Sequence, residues 1–315
     1  MKKEQLTLKE ISLKDERFRT SYHFSLQKLK LSLEEIGLLN APLVTLRDNR
    51  FILVSGWKRV LACLELSFTA IPVYVIEEEN DLKTFLMALY ENLASREFRL
   101  MEKAEVLARL KKFGEDEKRI IRYYLPLLDI PQTLSLLDAY LAFSRFEPEM
   151  KRAIHEKNMP FSSLKLLTGF TPQEQRLLLP LLLPLGQNKQ KEILEDSLEI
   201  AKRNNMPAKN ILLSNEIKAV QANETLTPLQ KADKIRALLR EKRYPVFSSW
   251  KGSFDSLLEK MKWPREITVN PSPFFEEDSF TVIFSFENQE QFKTHLLKLK
   301  ELSSRAEFLE IFKLR

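Results

Sequence analysis

The chain has 315 residues, 44% hydrophobic and 30% charged, and 50 Lys and Arg against 44 Asp and Glu give a formal net charge of +6. That length exceeds one typical core and predicts two or three domains, while the mild cationic surplus is compatible with nucleic acid without requiring it. A single cysteine, Cys63, excludes an intramolecular disulfide, and His23, His155 and His295 show no metal-ligand spacing with it or with one another.

The opening residues Met1–Gln5 lack the apolar stretch of a signal peptide, so a cytoplasmic location is expected. Leu29, Leu33 and Ile36 recur at helical spacing before Gly37, which predicts a helix with a glycine stop. Pro42–Leu46 reads as a strand, Asp48-Asn49-Arg50 as a hairpin turn and Phe51–Ser55 as a buried strand. Gly56 then turns the chain into a helix whose first residues include Lys58 and Arg59. A helix N-terminus presents unpaired N–H groups and the positive end of the macrodipole, so Gly56, Lys58 and Arg59 suit a phosphate. A nucleotide or a nucleic-acid backbone is the first ligand this suggests, and a solvated structural turn is the alternative. Trp57 reads as core, or else as a cover for a base or a partner surface. Ala70–Ile76 predicts another strand, and Asp81–Leu93 a helix ending in Glu91-Asn92.

These blocks, Leu29–Val44, Phe51–Ala62, Ala70–Ile76 and Ala88–Leu93, and the spacing between them, resemble the N-terminal domain of the ParB family over roughly residues 7–112. The resemblance implies a CTP-binding α/β fold in which a GERRxRA box holds the triphosphate and an ENxxR box supplies metal and phosphate contacts. Here the first box stands as Gly56-Trp57-Lys58-Arg59-Val60-Leu61-Ala62: Trp57 replaces the acidic position, Lys58 keeps the charge without a bidentate fork, and Leu61 replaces the later arginine. In the second box Glu91 and Asn92 match, while Ser95 stands where the arginine belongs and Arg96 follows it. The nucleotide-binding set so implied is Gly56, Trp57, Lys58, Arg59, Glu91, Asn92 and Arg96, with Glu91 as a candidate Mg²⁺ ligand; Glu91 and Asn92 as mere helix-end residues is the alternative. Losing an acidic residue and two arginines degrades both boxes, so binding is expected to outlast hydrolysis and any CTPase activity to be weak.

From Leu100 to about Leu213 the chain reads as successive helices. Arg119–Tyr124, the turn through Asp129-Ile130-Pro131 and a helix over Gln132–Ser144 are compatible with a helix-turn-helix. Its candidate DNA contacts are Arg119, Arg122, Gln132, Thr133, Ser135 and Arg145, with Lys151 and Arg152 nearby for phosphates. So few base-reading side chains predict moderate to low sequence specificity. The run Leu177–Leu185 is broken by Pro180 and Pro184 and is shorter than the ~20 residues a membrane span needs, so no membrane association is expected.

Thr227-Pro228 opens a helix that runs to about Lys242 and that Tyr244-Pro245 should close. Ile267–Val269, a turn at Pro271 and Pro273, the alternating run Ser279–Phe286 and a helix capped by Asn288 with the stripe Phe292, Leu296, Leu299 and Leu302 complete a small α+β tail. So few elements cannot cover their apolar faces alone, which predicts a homodimer through this segment; the tail also resembles the dimerising C-terminal domain of ParB proteins.

The expected organisation is α+β: residues 1–99 a ParB-like nucleotide-binding domain, 100–224 a helical domain and 225–315 a dimerisation domain. The resemblance implies a DNA-binding, CTP-gated dimer in chromosome or plasmid partition, with a partition ATPase as a further partner. An enzyme on the same fold, a nuclease or small-molecule kinase, and an adaptor with a non-functional pocket are the alternatives; carboxylates Glu34, Glu35 and Glu91 converging on Arg59 would favour the enzyme.

Overall fold

The computed structural model describes residues 1–21, 25–272 and 279–313, and its contacts divide the chain into two compact units, Met1–Leu194 and Glu195–Arg315. His23 and Pro273 lie outside the described residues.

The first unit opens on a five-stranded sheet built from β1 (Lys2–Thr7), β2 (Ile11–Ser12), β3 (Leu43–Arg47), β4 (Arg50–Ser55) and β5 (Ala70–Ile76), in the order β1-β5-β3-β4-β2. β3 and β4 form an antiparallel hairpin whose two-residue turn puts Asp48 and Asn49 at positive φ, as such turns require. β1 pairs antiparallel with β5, whereas β3–β5 and β2–β4 are parallel pairs. Helices α1 (Gln27–Ile36) and α2 (Trp57–Glu65) bury Leu33, Trp57, Val60 and Cys63 in one cluster with Leu6, Val44, Leu53, Ile71 and Val73. α3 (Asp81–Leu93) lies against β4, so Ile52, Leu53 and Val54 are all buried and this strand is covered on both faces. α1 ends at Gly37, whose N–H donates to the Leu33 carbonyl.

Helices follow: α4 (Leu100–Lys112), α5 (Glu117–Arg119), a π turn over Ile120–Tyr124, α6 (Leu125–Leu127), α7 (Leu134–Phe143), α8 (Pro148–Lys157), α9 (Phe161–Leu167), α10 (Pro172–Leu182) and α11 (Gln187–Arg203). α7 starts two residues later than the sequence suggests, because Thr133 stays extended and its hydroxyl caps the helix by accepting from the Leu136 N–H. α10 runs through Pro180, and Leu178, Leu181, Leu182 and Leu185 are buried. Among the described residues no helix is long and apolar enough to cross a membrane.

The second unit continues with α12 (Ala208–Leu212), α13 (Asn215–Ala222), α14 (Pro228–Arg243), α15 (Pro245–Lys260), the antiparallel pair β6 (Ile267–Pro271) and β7 (Phe280–Phe284), α16 (Gln289–Ser303) and α17 (Ala306–Ile311). Tyr244-Pro245 does not end the helical structure. Proline takes the first turn of α15, where it needs no N–H partner, so the pair is a joint between two helices. α15 supplies Phe254 and Leu257 to a core with Met261, Leu302 and Ile311. On α16 the inward line is Phe292, His295, Leu299 and Leu302, and Leu296 points outward at 46% exposure.

What fixes the start of α2 is Gly56, held at φ +93° with room for no Cβ: one placed there would lie 2.8 Å from the Pro42 Cβ. Gly56→Ala should therefore destabilise the first unit by about 1–3 kcal/mol through left-handed strain and the clash, read as a lower thermal midpoint. An unchanged midpoint would show that the turn relaxes freely.

Candidate nucleotide site

The turn at Gly56 delivers an N-terminus without a cap. Gly56 has no side chain to accept from the first N–H groups of α2, and no acidic residue stands in its first turn. This end of the helix forms one wall of a pocket of about 300 Å³. Val54, Ser55, Gly56, Trp57, Lys58 and Arg59 line that wall, Glu91, Asn92, Ser95 and Arg96 from the end of α3 line another, and Phe18, Thr20 and Ser21 close it. All seven residues expected at the nucleotide thus share one cavity, although 32 positions separate Arg59 from Glu91.

Its polar groups are held tightly. Arg59 donates to the Asn40 and Ala41 carbonyls at 2.9 and 3.2 Å and to Glu91 Oε1 at 2.8 Å. Asn92 donates to the Ala88 carbonyl, and its Oδ1 accepts from Arg96 Nε at 3.3 Å. Arg96 Nη1 reaches both oxygens of Glu102, at 2.8 and 2.9 Å, and that carboxylate is only 3% exposed. Ser95, in the expected arginine position, folds its hydroxyl back onto the Glu91 and Asn92 carbonyls. The Arg19 guanidinium lies 4.9 Å over the Trp57 ring.

The sequence profile of the ParB N-terminal domain matches residues 2–93. Over those residues the chain has a ParB N-terminal domain. The probable chromosome-partitioning protein ParB of Borreliella burgdorferi is 24% identical over 155 residues, 48% of this chain, and the chain spans 56% of the length of that relative. Two solved structures of C-terminally truncated Caulobacter crescentus ParB are similar over part of the chain. The one complexed with CTP-γ-S is 15% identical, covers 55% of this chain and 94% of its own, with a TM-score of 0.28. The one complexed to the centromeric parS site is 13% identical, covering 61% and 98% with a TM-score of 0.34. A Pnob8-like ParB-N domain is 12% identical over 76% of this chain and 97% of its own, at 0.37.

Just beyond the matched residues stands a buried carboxylate that the two boxes do not announce. Glu102 is the third residue of α4 and also accepts from the Arg99 N–H at 3.0 Å, a capping arrangement legible as Arg99-Leu-Met-Glu once the helix start is known. Thr20 and Ser21 carry no sequence signal, since only the fold brings that loop to the pocket. A larger cavity, about 1000 Å³, shares no residue with this site; Arg17 on its wall pairs with Asp15 and Asp81. Among the described residues no three His, Cys, Asp or Glu side chains are placed to hold a metal. Cys63 is buried, which raises its thiol pKa and suits packing.

The expected DNA contacts are more dispersed. Arg119, Arg122, Ser135 and Arg145 are exposed. Arg119 sits 3.7 Å from Glu115 and over the Tyr124 ring, and Gln132 donates to the Arg122 carbonyl from a position before α7. Thr133, as the cap, also precedes the helix. Lys151 is bound to Glu105 at 2.6 Å and to the Ser144 carbonyl.

Lys58 is exposed as a residue, yet partial desolvation, and then the charges of Arg96 and Arg99 against the opposing pull of Glu102, lower its pKa. A cation with a lowered pKa loses its proton earlier as pH rises, and a bound anion favours the protonated form. Anion affinity should therefore begin to fall below the ordinary lysine range, and Lys58→Arg should flatten that fall. Calorimetric titration with CTP from about pH 7 to about pH 10 checks this; identical profiles for both proteins would remove Lys58 from the site.

Proposed function

We propose that the chain is a ParB-like DNA-binding protein, gated by CTP and acting as a dimer in chromosome or plasmid partition or related DNA regulation. The observation that carries the reading is the convergence of Gly56–Arg59 and Glu91–Arg96 on one pocket at an uncapped helix N-terminus. The ParB domain match and a curated relative named as a partition protein support the process. In this reading Glu91 is the pocket's hard oxygen ligand for Mg²⁺, which takes its remaining ligands from phosphates and water. A cytoplasmic, nucleoid- or plasmid-associated location and a partition ATPase partner follow from it.

Of the three carboxylates that would favour the enzyme alternative, Glu91 alone meets Arg59. Glu91 is the single carboxylate on the pocket wall among the described residues, and Glu34 and Glu35 point to solvent from α1. The sparse, exposed cations around α7 support DNA binding that depends steeply on salt and weakly on sequence.

If Arg59 exchanges Glu91 for phosphate, Arg59→Ala removes a charge-assisted contact of about 1.5–3 kcal/mol and weakens CTP binding about tenfold or more. Unchanged calorimetric affinity in a folded variant would sink the assignment.

For assembly, Ile283 on β7 and Leu297 on α16 are 56% and 67% exposed, surface that a second copy could bury. The chain should scatter light as a dimer at concentrations on the order of tens of micromolar, and Ile283→Asp with Leu297→Asp should yield a monomer. A wild-type monomer at that concentration rejects the dimer.

A further inference from the structure

We propose that the cavity of about 1000 Å³ beside the edge strand β2 is a docking site for an acidic, extended peptide segment of a partner protein, held by Lys14, Arg50 and Lys112. The inference stands apart from the nucleotide reading, because the two cavities share no residue.

The walls come from four parts of the first unit: the chain leaving β2, the β3–β4 hairpin, the start of α3 and the second half of α4. The charges on them fall into two groups. In the first, the carboxylates are already neutralised: Arg17 stands 2.7 Å from Asp15 and 3.3 Å from Asp81, and Arg109 stands 2.9 Å from Glu105. The Arg17 guanidinium holds the Asp15 carboxyl below the usual carboxylate range, so that acid stays ionised and occupied. Arg109 also donates to the Arg17 carbonyl at 3.0 Å, which ties the loop after β2 to α4 and holds two of the walls together.

The second group has no such internal use. Lys14, Arg50 and Lys112 are exposed, lie on three separate segments and form no ion pair among the described residues. Glu16 pairs with Arg19, which leaves Asp48 as the lining carboxylate with no ion pair among the described residues. The uncompensated charge on the wall is therefore positive, and an anion would relieve it.

Two features decide which kind of anion fits. β2 is an edge strand paired on one side only, with β4, so its outward backbone groups can add a further strand. An extended chain sets alternate side chains on one face about 7 Å apart, so acidic residues in alternation can reach separated cations while the backbone runs along β2. A peptide also brings N–H donors, which suit the carboxylates on the wall. A nucleic-acid backbone would bring its phosphate charges against Asp15, Glu16, Asp48, Asp81 and Glu105, where like charges repel.

The test is fluorescence anisotropy of a labelled peptide of alternating Glu and Val, titrated with the full chain at low salt. Wild type is compared with the cavity variant Lys14→Glu, Arg50→Glu, Lys112→Glu and with a control, Lys9→Glu, Lys28→Glu, Lys157→Glu, which changes net charge equally at exposed lysines outside the cavity. All six positions are exposed, so both variants should unfold close to the wild-type midpoint. The peptide should bind wild type and control alike and the cavity variant about tenfold or more weakly, since three modest surface attractions become three repulsions. Amide exchange at Ser12–Lys14 should slow when the peptide is bound. No binding to wild type, or an equal loss in both variants, would overturn the inference. Labelled duplex DNA bound more tightly than the peptide, with its loss confined to the cavity variant, would make this wall a nucleic-acid surface and overturn the peptide reading.

Discussion

Gly56 carries the constraint on which the rest of this site depends. At φ +93° it reverses the chain from a strand buried on both faces into a helix, in a space where even a methyl group would meet Pro42. The same missing Cβ lets Arg59 fold back: its Cζ would stand 3.3 Å from a Cβ at this position. A Cβ at this position would press on Pro42 and crowd that arginine. Glycine leaves the first N–H groups of α2 without a side-chain cap at the wall of the pocket. The open helix N-terminus at the pocket wall is thus a by-product of backbone geometry, on which the side chains build.

The two ion pairs at the pocket differ in what they can do. Arg59–Glu91 is partly exposed, with Glu91 45% accessible, and pairs of this kind contribute at most about 1 kcal/mol. A phosphate can take the place of Glu91 at Arg59 with little loss. Arg96 donates from Nη1 to both oxygens of Glu102, a carboxylate almost sealed from water, and breaking such a pair leaves a costly bare charge. The pair acts as a fixed strut joining the end of α3 to the start of α4, so one contact both lines the pocket and places the helical elements. In the unliganded chain one arginine is exchangeable and the other is anchored.

Much of the ParB domain was legible in the sequence because its signals are local. The hairpin turn at Asp48-Asn49, the strand before Gly56 and the stop at Gly37 each depend on a few neighbouring residues. Pocket membership was legible for Gly56–Arg59, Glu91, Asn92 and Arg96 through box spacing, whereas Thr20, Ser21 and Glu102 arrive through tertiary folding. Boundaries failed where two local rules compete. Thr133 suits a cap better than a helix interior, so α7 starts after it, and Pro245 suits a first helical turn as well as a stop, so α15 went unread. His295 displaced Leu296 from the inward stripe because spacings of three and four residues alternate along a buried face, and an imidazole beside Phe284 packs there at 5.3 Å between ring centres.

The central claim, that the uncapped start of α2 and the end of α3 jointly hold a nucleotide, is tested most directly by amide hydrogen exchange with and without CTP and Mg²⁺. The account predicts slowed exchange at Trp57–Val60 and at Glu91–Arg96 together, saturating with CTP concentration. Unchanged exchange in both segments at saturating CTP, or protection confined to other parts of the chain, would contradict it.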